Sequence, residues 1–130
     1  MKVVAGIIIY KKKVLALQRA HSIKSYTSLK YEFPGGKVKK HETLLGALKR
    51  ELREELSIKV TNPNLYFNTS YKYPDFEVCI NFYTCNVNQL NIKLNVHIGY
   101  KLLDTSDLRQ VKWLDADYDV IDYIEKTGLV

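Results

Sequence analysis

The chain has 130 residues, close to one typical domain of about 150 and long enough to bury a core without disulfide or metal staples. Its 46% hydrophobic and 26% charged residues exclude a disordered or fibrous chain. Twenty Lys and Arg against fourteen Asp and Glu leave a formal charge of +6, which suits an anionic partner and leaves open whether that is a nucleic acid, a membrane surface or a phosphorylated small molecule.

In chain order, Val3 to Tyr10 is rich in β-branched residues, Lys11, Lys12 and Lys13 make a polar turn, and Val14 to Arg19 resumes an apolar run, so a hairpin is expected. The stretch Val3 to Ile9 falls far short of the roughly 20 residues of a membrane helix and precedes no convincing cleavage site. A cytoplasmic protein with no membrane partner is expected. Residues 20 to 32 are polar and lead into Phe33-Pro34-Gly35-Gly36, where the glycines permit backbone geometry denied to other residues and suggest that something passes close to the chain.

The hydrophobic period then changes from 2 to 3.6. Leu44, Leu45, Leu48, Leu52 and Leu56 trace one face of a helix over Thr43 to Leu56. Asn62-Pro63-Asn64 breaks the pattern, and Phe76 to Cys85 alternates as a long strand. Cys79 and Cys85 share a face of that strand about 20 Å apart, too far to bridge each other. Leu90 to Leu94 and Gly99 to Leu103 are weaker strand candidates, Asp104 to Leu108 a short helical turn, and Asp119 to Lys126 a terminal helix. No repeat or linker divides the chain, and a single domain over residues 1–130 is expected.

Arg50-Glu51-Leu52-Arg53-Glu54-Glu55 carries the chemistry. At about 100° per residue, Glu51, Glu54 and Glu55 fall in one sector beside the leucine stripe, while Arg50 and Arg53 point elsewhere. Like charges so spaced repel unless a cation compensates, and hard, oxygen-seeking Mg²⁺ or Mn²⁺ is the natural one; a solvated face with ordinary ion pairs is the plainer alternative. An acidic cluster beside apolar leucines in a basic chain, with Glu42 within reach of it, favours a metal site for a phosphorylated substrate.

These residues resemble the signature box of the Nudix hydrolases: Gly36, five residues, Glu42, seven residues, then Arg50-Glu51-Leu52-Arg53-Glu54-Glu55-Leu56-Ser57-Ile58, with Ser57 where the family has glycine. The run Glu32 to Lys37 and the stretch Trp113 to Ile124 extend the likeness to the MutT-like nucleoside triphosphate pyrophosphohydrolases. The resemblance implies an α/β architecture, a mixed β-sheet sandwiched between helices, with the box forming a loop, helix and loop. It implies Mg²⁺, or Mn²⁺, held by Glu51, Glu54, Glu55 and Gly36, with Arg50 orienting the carboxylates, Glu42 as a secondary acidic group and Glu51 as first choice for the proton acceptor. The implied reaction is attack of water on a bridging phosphorus, giving a nucleoside monophosphate and pyrophosphate, in service of a clean nucleotide pool and DNA repair.

For the substrate, the resemblance points to Arg19 at the phosphates or base, the loop residues Gly35, Gly36 and Lys37, and Asp117 at the base edge; Phe33 is a candidate to line the pocket or to pack the loop, and Tyr73 and Phe76, flanking Pro74, are candidates to wall the base. An ionised Asp only accepts hydrogen bonds, so cytosine, adenine and an oxidised guanine such as that of 8-oxo-dGTP all stay open. Capping the last helix is the plainer role for Asp117. Val96 stands where many relatives carry a glutamate before histidine, and His21, His41 and His97 are too dispersed for a zinc site. The alternatives are another nucleoside diphosphate derivative, such as ADP-ribose or a dinucleoside polyphosphate, or a small RNA-binding module. The expected partner is a small nucleotide, with no stable nucleic-acid partner and a monomer or homodimer.

Overall fold

The computed structural model describes residues 1–129. One mixed sheet is built from β1 (Lys2–Tyr10), β2 (Lys13–Gln18), β3 (Tyr31–Glu32), β4 (Gly35–Lys37), β5 (Asn64–Lys72), β6 (Glu77–Asn86) and β7 (Gly99–Leu103). The order is β3-β2-β1-β6-β5, with β4 paired to β1 and β7 to β2. β1 and β6 run parallel along nearly their whole length, every other strand pairing is antiparallel, and a single parallel bridge joins Tyr31 to Trp113.

The site is opened by a splay. β1 and β2 pair only beside their turn, Ile9 with Val14 and Tyr10 with Lys13. Beyond that point β4 takes the vacated side of β1, and β3 pairs with the end of β2. Phe33-Pro34 crosses the gap, pinned by the Gly6 N–H donating to Pro34 O at 2.8 Å.

Alternation along β1 and β2 feeds two cores on opposite faces. Val4, Ile8, Leu15 and Leu17 pack under helix α1 (Leu44–Leu56) with Leu48, Leu52 and Leu56. Ala5, Ile7, Ile9, Val14 and Ala16 pack with Phe33, Phe82, Trp113 and the buried face of helix α2 (Tyr118–Thr127). The expected sandwich of a mixed sheet between helices is what the chain forms. Two 3₁₀ turns, Thr105–Gln110 and Asp115–Asp117, lead into α2.

Several expectations need correction. Leu45 is exposed, and Ala47 completes the buried stripe instead. Leu90 to Leu94 is no strand: Lys93 and Asn95 donate their N–H groups to the carbonyls of Leu56 and Glu55, so the segment caps the end of α1. β5 was not anticipated. Neither Gly35 nor Gly36 has a positive φ, so space, not conformational freedom, requires glycine there. A Cβ on Gly35 would lie 2.0 Å from Val4 O, and one on Gly36 2.5 Å from the Glu51 carboxyl carbon. Cys79 is exposed and Cys85 buried, both free. No helix among the described residues is long and apolar enough to cross a membrane.

Candidate active site

Thr43 caps α1, its Oγ1 accepting from the Gly46 N–H at 3.0 Å, and the helix ends at Ser57, held left-handed at φ 57°. Between those caps the helix carries Arg50, Glu51, Glu54 and Glu55. Arg50 does not point away from the carboxylates. Its Nε donates to Glu42 Oε2 at 2.7 Å, its Nη1 to both Glu51 and Glu54 at 2.8 Å, and its Nη2 to Lys37 O at 2.9 Å. Those bonds hold the Glu42 carboxyl down at about 2, aided by the Lys39 N–H.

Glu55 faces the other way, accepting from the Gly35 N–H at 3.0 Å. Burial, with Glu32 and Glu51 nearby, pushes it up to about 7 against that bond. Among the described residues no group of three or more His, Cys, Asp and Glu side chains is drawn together as a ligand set. The donor chemistry nevertheless suits a hard divalent cation: three carboxylates lie within two turns of one helix, and the missing Cβ of Gly36 leaves room for that of Glu51.

The double glycine opens onto a cleft of about 450 Å³. Arg19, Phe33, Gly35, Gly36, Lys37, Tyr73, Phe76 and Asp117 all line it, and so does Glu55. Of the box, Glu42, Arg50, Glu51 and Glu54 are not part of that lining, though the Glu51 carboxyl lies against Gly36, which is. Phe33 stacks on Trp113 with centroids 4.6 Å apart, and Tyr73 stacks on Phe76 at 5.0 Å while accepting from the Ala116 N–H at 3.0 Å.

Asp117 is 5% exposed, makes no capping bond to α2, and leaves Oδ2 without a partner. Burial, reinforced by Glu32 and opposed by Arg19, pushes its carboxyl well above the ordinary value.

Residues 1–119 match the NUDIX domain family. The chain belongs to that family. Among its relatives, 8-oxo-dGTP diphosphatase from Buchnera aphidicola subsp. Acyrthosiphon pisum (strain APS) is 49% identical over 53 residues, 41% of this chain and 43% of that protein. The 8-oxo-dGTP diphosphatase of Proteus vulgaris is 37% identical over 84 residues, 64% of this chain and 73% of that one. The first of these matches thus spans less than half of the relative's length. The crystal structure of MutT protein from Methanosarcina mazei Go1 shares the fold, with a TM-score of 0.85 at 22% identity over 100% of this chain and 96% of that one.

Two residues of this NUDIX cleft escaped the sequence reading. Glu32 Oε2 accepts from His97 Nε2 at 2.7 Å, and Glu32 Oε1 from Arg19 Nη1 at 3.2 Å. Glu32 was visible only as part of the run before the box, and nothing in the sequence brings a histidine 65 positions away to it. Val96, next to His97, lines the cleft but is 62% exposed.

Proposed function

We propose that this chain hydrolyses a nucleoside triphosphate to the monophosphate and pyrophosphate with Mg²⁺ or Mn²⁺, its substrate an oxidised guanine nucleotide such as 8-oxo-dGTP or a cytidine nucleotide, and so keeps the nucleotide pool clean. One observation carries the reading: a single cleft is lined at the double glycine by Glu55, the one α1 carboxylate that reaches it, and elsewhere by aromatic side chains and the buried acid Asp117. Phosphates suit the first part of that lining and a base the second.

Glu51, Glu54 and Glu55, with the Gly36 carbonyl, would hold the cation. When bound, it polarises the phosphoryl oxygens and neutralises charge on the leaving pyrophosphate. The chain's own side chains do the rest. Arg50 fixes Glu51 and Glu54 through one nitrogen. Glu51, lying against Gly36, accepts the proton of the attacking water. Lys37 and Arg19 line the cleft as cations for the phosphates. Phe33, Tyr73 and Phe76 exclude water from the base end, where Asp117, buried and with Oδ2 unpartnered, meets the base edge.

The test is turnover of normal dNTPs and NTPs, 8-oxo-dGTP, 5-methyl-dCTP, ADP-ribose and dinucleoside polyphosphates, with and without Mg²⁺ or Mn²⁺, and with product identification. Expected is monophosphate plus pyrophosphate from one triphosphate, metal-dependent and reduced about 100-fold or more in Glu54→Gln. Turnover confined to ADP-ribose or a dinucleoside polyphosphate, or none at all, sinks the reading.

A further inference from the structure

The last four carbonyls of an α-helix have no partner within the helix, and at the end of α1 every one of them is partnered from outside the helical turns. Arg53 O accepts from the N–H of the capping residue Ser57 at 2.9 Å. The other three are served from far along the chain. Leu56 O accepts from the Lys93 N–H at 2.9 Å, Glu55 O from the Asn95 N–H at 3.1 Å, and Glu54 O from Asn95 Nδ2 at 2.9 Å. Asn95 Nδ2 also donates to Ser57 Oγ at 3.0 Å, so one side chain grips both the final turn and the residue that ends it.

These bonds single out the residue type. Any residue but proline could supply the peptide N–H groups at positions 93 and 95. The side-chain bonds need two hydrogens on one atom, one for a carbonyl and one for a hydroxyl, and the primary amide of asparagine has them. A hydroxyl carries one hydrogen and an ionised carboxylate none. Ser57 fits the same pattern: it bears the strain of a left-handed φ, and its Oγ takes the second amide hydrogen. Ile92 and Leu94 pack against the core beneath α1, so the segment is seated on the helix end.

What this end of the helix carries is Glu54 and Glu55. The carbonyls of those same two residues are the ones Asn95 holds. Their carboxylates are engaged elsewhere, Glu54 by Arg50 and Glu55 by the Gly35 N–H. Asn95 therefore fastens the main chain from which both project and touches neither carboxylate. A helix end without such fastening frays, and adjacent ligands on a frayed turn no longer face one ion.

We propose that Asn95, with Ser57 as its second anchor, is a positioning residue for the divalent cation, holding the last turn of α1 so that Glu54 and Glu55 meet the ion together. The inference rests on α1 holding that cation, as proposed above.

The experiment titrates Mn²⁺ into the nucleotide-free protein by isothermal calorimetry and follows thermal unfolding of each variant without metal. Asn95→Ala should weaken Mn²⁺ binding about 10-fold or more, and Ser57→Ala, which removes only the hydroxyl, about 3-fold. The double variant should match Asn95→Ala rather than the product of the two losses, because the hydroxyl then has no amide to accept from. Ile124→Val trims a buried side chain of α2, in the core on the other face of the sheet, and is the control. It should lower the melting temperature and leave Mn²⁺ binding unchanged. In turnover by Asn95→Ala, the Mg²⁺ concentration giving half the maximal rate should rise, while the rate at saturating Mg²⁺ stays within about twofold. Equal Mn²⁺ binding by Asn95→Ala and the unaltered protein overturns the inference alone. So does a loss of affinity in Ile124→Val as large as that in Asn95→Ala, the mark of general loosening. Absence of Mn²⁺ binding by the unaltered protein overturns the metal site and this inference with it.

Discussion

Burial turns Asp117 into an acid that resists ionisation. Below its ordinary value of 3.8 the carboxyl is protonated whether the chain is folded or not. Above it the unfolded chain ionises freely while the folded one holds its proton, so the unfolded state binds fewer protons and stability falls as pH rises through the window up to the raised value. Asp117→Asn keeps the shape and removes the charge. Urea unfolding at pH 4, 6 and 8 should show the unaltered protein losing stability against this variant as pH rises; parallel curves would count against it. Sequence alone could not show that Asp117 is buried, because burial is a property of the fold. The same holds for Glu32 and His97, which meet only when the segment before β7 returns along β2.

Among elements, α1 was legible because its period, its Thr43 cap and its leucines all agree. β5 was hidden: its burial is mixed along its length, and an irregularity between Leu65 and Phe67 interrupts its register with β6. Leu90 to Leu94 misled because half-buried apolar residues packed over a helix end alternate as a strand would. The cap of α1 is where element stability is most open to change. Ser57 sits at φ 57° with its N–H donating to Arg53 O, a conformation that costs a residue with a Cβ about 1 kcal/mol. Ser57→Gly should raise the urea midpoint by a comparable free energy, reduced by loss of the bond from Asn95 Nδ2 to Ser57 Oγ. A lowered midpoint would mean that this bond outweighs the strain.

At the scale of the whole molecule, β1 belongs to both cores, so neither layer can loosen without the other. Leu52→Ala, fully buried beneath α1, should cost about 2–5 kcal/mol. Trp113, the sole tryptophan and buried on the opposite face, should report the same lowered midpoint by fluorescence as circular dichroism does for the helices. Two separate midpoints would show that the layers melt independently. The mixed sheet and its covering helices were anticipated through resemblance, but the splay of β1 from β2 follows from pairings distant in sequence. That splay gives the two adjacent glycines different mutational fates. At position 35 any side chain meets main chain that cannot yield, whereas at position 36 it meets only the movable tip of Glu51. In a library substituting every position in turn, Gly35→Ala should vanish from the folded pool, and Gly36→Ala should persist there while failing selection for activity. Neighbouring codons would then separate loss of protein from loss of catalysis.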